Sequence, residues 1–238
     1  NAGFMPEGLP DFSDGFDVYA GWEITRKGDN SLTPEQNRLL AYGAPLFLYN
    51  DDNVDSLEST AGTDTLKEML EEWWEVTDRK SALETISWLL NEGQHAGADP
   101  ALAEIRQRGI EAITEEEKAD EDSKIGDAFT IAEFVMGVNE TTEADLPETV
   151  LAWDLVRAVN MARWAFICGY INEDEMWEAI RTTAGIAKES FSSWEEYGNS
   201  FAVGRGIWRG ETDDYETADE VVGALLNKED SPWKAIEW

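Results

Sequence analysis

The chain has 238 residues, 42% of them hydrophobic, including eleven tryptophans and nine phenylalanines. That apolar content supports a sizeable folded core and excludes a disordered acidic chain. Eighteen Lys and Arg against 51 Asp and Glu leave a formal charge of −33. Such a charge repels nucleic-acid phosphate and anionic membrane surfaces, and suits a basic partner or bound cations.

Cys168 is the only cysteine, so no intrachain disulfide can form. With His95 as the only histidine, a mononuclear zinc site built from several Cys and His ligands is excluded. No run reaches the roughly 18 apolar residues of a membrane-spanning helix, so no membrane insertion is expected. The first residues lack a basic-plus-apolar targeting pattern. A cytoplasmic location is therefore the expectation, with a leader removed before Asn1 as the other option.

Residues 1–30 read as an irregular acidic and aromatic arm that anchors Phe12, Phe16, Tyr19 and Trp22 on the folded body. A compact all-α, multi-helix domain is expected over 31–238. The first start signal is SLTPEQNRLLAYG (31–43): Thr33 caps, Pro34 opens the helix, Gln36 completes the capping box and Gly43 stops it. TLKEMLEEWWEV repeats the box spacing at Thr65 and Glu68, with Leu66, Met69, Leu70, Trp73 and Trp74 as its apolar stripe. Asp78 starts a helix ending near Gly93. ADPALAEIRQRG places Asp99 as cap, Pro100 just inside the start and Gly109 at the stop. The acidic run 111–124 reads as an exposed linker or helix edge, and a subdomain boundary is placed near 110–124. It is not a calcium loop: Gly126 falls at position seven from Asp120, and position twelve is not glutamate.

LPETVLAWDLVRAVNMARWAFICG (146–169) is apolar almost all round a helical wheel, which implies burial on several sides. Asn172 and Glu175 then form a box, with Ile171 and Met176 at staple spacing. Ser193 with Glu196 and Thr217 with Glu220 mark two further starts, and SPW (231–233) starts a short terminal turn. No internal repeat and no alternating strand pattern appears.

These stretches resemble the bacterial family catalogued as domain of unknown function 1266. The resemblance begins loosely at LTPEQNRLLAYGAPL and runs through LKEMLEEWWEVTDRKSALETISWLLNEG. It is strongest in AWDLVRAVNMARWAFICGYINEDEMW and FSSWEEYGNSFAVGRGIW, and ends at SPWKAIEW. It implies a mainly helical domain with no established activity. The family-like positions are Trp153, Asp154, Arg157, Arg163, Ser193, Trp194, Gly204, Arg205 and Trp208, none of them thereby catalytic. The arm and the extreme acidity are departures peculiar to this chain.

The most informative polar feature is the series Asp154, Arg157, Asn160 and Arg163, set three apart on an otherwise apolar helix. Buried charges need partners, so the series reads as a salt-bridged junction, joined by Arg163 or Arg205, with ligand binding as the alternative. Arg205, between Gly204 and Gly206, is a second candidate because small neighbours allow close approach of a helix or ligand. Trp73, Trp74, Trp153, Trp164, Trp194 and Trp208 read as core and helix contacts; an exposed aromatic patch would instead mark a protein-binding surface. His95, beyond a helix stop, reads as a surface or carboxy-terminal capping residue. Adjacent acids such as Glu71-Glu72 and Glu195-Glu196 point apart on a helix and support no glycosidase pair. There is no phosphate loop, dinucleotide fingerprint or nucleophile elbow, and no cofactor or metal is expected. The expectation is a protein-interaction or regulatory domain without catalysis. The alternative is an anion-binding protein or enzyme using Asp154, Arg157 and Arg205, with Glu196 as a remote acid–base group. Oligomeric state is left open.

Overall fold

The computed structural model describes residues 18, 19 and 21–238. Phe12 and Phe16 of the arm lie outside the described residues. Tyr19 and Trp22 pack against the core, and the Trp22 indole donates to Glu220. Among the described residues the fold is helical, with one isolated bridge between Thr25 and Asn53.

The helices are α1 (Pro34–Leu40), α2 (Ala44–Tyr49), α3 (Thr63–Trp74), α4 (Arg79–Asn91), α5 (His95–Arg108) and α6 (Glu115–Lys118). They continue as α7 (Ile125–Asn139), α8 (Leu151–Ile167), α9 (Glu173–Ser190), α10 (Trp194–Arg209), α11 (Thr212–Asn227) and α12 (Pro232–Ala235). Helix α8 is the axis: every residue from Ala152 to Ala165 is buried, as its all-round apolar pattern requires. Around it pack α2, α4, α9 and α10, and α10 in turn packs on α7 and α11. Gly204 allows the α10–α8 approach, since a Cβ there would meet Trp153 and Val150. Gly206 does the same toward Tyr215 and Ile131.

The start signals hold in part. Thr33 and Asn172 form the expected capping boxes. Ser193 accepts from the Glu196 N–H, while the Glu196 carboxylate accepts from Ser192. Thr65 and Thr217 are not caps. Helix α3 begins two residues before Thr65, and Thr217 lies inside α11, its hydroxyl donating to the Asp213 carbonyl. A threonine satisfied by its own helix has no need to end it. The acidic run carries a short 3-10 turn and α6, which Thr114 and Glu117 cap.

Two boundaries move for a shared reason. Helix α8 begins at Leu151, so 146–150 is an approach anchored by buried Leu146 and Val150 rather than a first turn. Helix α5 begins at His95, so Asp99 and Pro100 lie within it. Asp99, on the body of α5, accepts from the Val150 N–H at 2.8 Å and the Thr149 hydroxyl at 2.6 Å. Asp154, on the body of α8, accepts from the Gln94 and His95 N–H groups at 3.0 and 2.8 Å. Each helix thus finishes the amino end of the other, satisfying N–H groups that have no partner within their own helix.

Candidate functional site

The polar series on α8 divides into two junctions and a strut. Asp154 is fully buried, accepts from the Arg157 guanidinium and bonds His95 Nδ1 at 2.6 Å. Nine residues along the helix, Arg163 turns to Asp52, at 3.0 Å, and to the Glu58 carbonyl, at 2.8 Å. Asn160 lies between them and donates to the Gly43 carbonyl at 3.0 Å. The expected single junction joining Arg163 or Arg205 to Asp154 is therefore corrected. A nine-residue offset carries Arg163 to a different neighbour, and Arg205 forms no ion pair among the described residues. Asp52, which sequence reading missed, also accepts from the Thr60 N–H at 2.9 Å and the Ser59 hydroxyl at 2.8 Å. Burial opposes ionisation at Asp52, but Arg163 and these donors outweigh it and lower its pKa.

His95 is also corrected. It is the first residue of α5, not a residue trailing α4. Its side chain is 18% exposed. The hydrogen bond to Asp154 raises its pKa against the opposing effect of burial, favouring the imidazolium. Gly93 makes this turn possible: its φ is +52°, and a Cβ there would run into the Asp154 carboxylate.

Above this buried junction lies an open cleft of about 520 Å³ between α3, α4, α8 and α10. Trp73, Trp74, Trp88 and Trp208 supply its rings, Arg157 and Gln94 reach it from below, and Glu75 and Glu84 carry its acidic charge. Trp73 is 73% exposed and Trp88 38%. Burial lowers the Arg157 pKa, against the favourable pull of Asp154. Its guanidinium carbon lies 4.4 Å from the Trp153 ring centre and 5.5 Å from that of Trp74. Its Nε donates to the Trp153 carbonyl, one Nη bonds Asp154, and Nη1 has no hydrogen bond among the described residues.

A family model described as protein of unknown function (DUF1266) matches residues 69–238. The chain belongs to the DUF1266 family. No curated protein and no solved structure matches it. All ten residues lining the tryptophan cleft of this DUF1266 chain fall within the matched span, whereas Asp52 and Tyr49 precede it.

The tryptophans named from the sequence separate into two groups. Trp153, Trp164 and Trp194 are core, whereas Trp73 is open to solvent and Trp74 and Trp208 are half-buried. Trp88 was not singled out, yet it completes the cleft; its signal is its place on the polar side of the α4 stripe. The His95–Asp154 pair resembles a proton-transfer pair in outline only. Its carboxylate is taken up by two backbone N–H groups and a guanidinium, and no hydroxyl or thiol bonds the imidazole among the described residues. The remote acid Glu196 accepts from the Ser192 N–H and hydroxyl at the start of α10.

Proposed function

We propose that this chain is a non-catalytic recognition domain whose tryptophan cleft takes a basic segment of a partner protein. The observation that carries this reading is Trp73, 73% exposed at the mouth of a cleft with three further tryptophans. Large exposed aromatic rings around a concavity are anchors of protein recognition. The charge balance selects the occupant. Asp154 neutralises Arg157, so the cleft's outer charge comes from Glu75 and Glu84, within a molecule of net charge −33. A Lys or Arg side chain on the indole faces gains both cation–π and carboxylate attraction. The remaining Arg157 N–H groups suit a backbone carbonyl of the same segment.

The test is a titration of tryptophan fluorescence with short synthetic Arg- and Lys-bearing peptides and with glutamate-substituted counterparts. Basic peptides should bind saturably and more weakly in salt. Trp73→Ala and Trp88→Ala should weaken binding at least about tenfold, the loss of about 1.4 kcal/mol of anchoring. Both substitutions act on exposed rings, so folding is retained. Binding of acidic and basic peptides alike, no binding, or full affinity in both variants would overturn the reading.

A further inference from the structure

Around Trp153 lies a second group of donors, which the pairing with Asp154 does not use. Arg205 places its guanidinium carbon 4.3 Å from the Tyr49 ring centre and 5.4 Å from that of Trp153. The two buried arginines, Arg157 and Arg163, each have a carboxylate, whereas Arg205 is half-buried. Arg205 has none among the described residues, in a chain with 51 acidic residues. Its Nε and the Trp153 indole N–H are buried without an acceptor, and the Tyr49 hydroxyl, whose oxygen faces the Arg205 guanidinium, has no acceptor for its own hydrogen. Trp153 is 3% exposed, so bulk water does not complete its N–H. Burial holds the Tyr49 phenol above its ordinary range, against the pull of Arg205, so it remains a donor near neutrality.

Unsatisfied buried donors are costly, and native proteins carry few of them. Arg Nε and indole N–H can only donate. A water molecule accepting from them could place one hydrogen on the Tyr49 oxygen, but the other would be left to the surrounding aromatic faces, which accept weakly. A partner that only accepts and carries negative charge matches the group better. We propose that Arg205, Trp153 and Tyr49 form a binding site for a small monovalent anion of halide size, between α2, α8 and α10. The anion supplies the charge that Arg205 lacks and ties the three helices together. A larger polyanion is disfavoured by the net negative field of the molecule and by the surrounding rings.

The experiment is titration of bromide or chloride into protein held in gluconate at constant ionic strength, read by the thermal midpoint and by ³⁵Cl line broadening. Saturable stabilisation and broadening are expected. Trp153→Phe and Tyr49→Phe, which each remove one donor and keep the ring, should each weaken the anion about tenfold, or about 1.4 kcal/mol. Arg205→Met should abolish binding; if it fails to fold, the two phenylalanine variants carry the test. Asp214 and, less strongly, Glu220 act electrostatically on Tyr49, and Asp214 is the competing counter-charge to be tested. Halide indifference in the wild type, unchanged affinity in both phenylalanine variants, or a halide response that appears only in Asp214→Asn would overturn the site.

Discussion

Asp154 gathers four groups on one buried carboxylate: two backbone N–H groups, one imidazole and one guanidinium meet its two oxygens. Its pairing with Arg157 is legible in the sequence, because a three-residue offset on a helix puts the two side by side. The contribution of His95 is not, because that contact spans 59 residues and depends on a glycine turn. It makes stability depend on pH near neutrality. The imidazole pKa is raised in the folded chain, so its stabilisation is complete below the unfolded value of about 6.5 and is lost as pH rises through the folded value. Urea midpoints measured across that window should fall for the wild type, with a much flatter profile for His95→Gln. Parallel profiles would place the pH dependence on other groups.

The reciprocal caps belong to the helix scale. Asp99→Ala removes the acceptor for the start of α8 and should cost about 0.5–2 kcal/mol, the usual range for a lost cap. Asp154→Ala removes the start of α5 and also leaves Arg157 buried without its partner, which should cost about 3–5 kcal/mol. Because each carboxylate sits on the helix that the other one starts, the double variant should cost less than the sum in urea denaturation. Strict additivity would show that the two starts are independent. Most helices were readable from periodicity, since apolar positions three and four apart record which face is buried. Their starts were less so. The boxes at Thr33 and Asn172 are local and legible, but α5 and α8 begin where a carboxylate from another helix arrives.

At the scale of the molecule, acidic excess acts over distances that no single ion pair spans. With 51 acidic and 18 basic side chains, folding gathers like charge that the extended chain keeps apart. Raising salt from about 0.01 to about 0.1 M shortens the screening length from about 30 to about 10 Å. The urea midpoint should therefore rise over that interval in any simple sodium salt, even though exposed pairs such as Arg108 with Glu117 weaken. A falling midpoint would mean that the paired charges outweigh the net repulsion. The same scale explains why the cleft was only half visible. Sequence marks Trp73 and Trp74 as one stripe but cannot assign opposite exposures to neighbours. That difference is set by where α4, α8 and α10 arrive.

The last packed residues also bear on how the chain is made. Trp233 stacks on Trp194 and donates to the Ala41 carbonyl at 2.8 Å, Trp194 donates to the Ile236 carbonyl, and Trp238 donates to the Phe191 carbonyl. Tyr42 meets both Trp194 and Trp238. The contact between Ala41 and Trp233 spans 192 residues. At roughly 5–20 residues per second of synthesis, that interval is roughly 10–40 s. Through it, the face around Tyr42 has emerged from the ribosome while its covering has not, and so the nascent chain displays an adhesive aromatic surface that the finished protein hides.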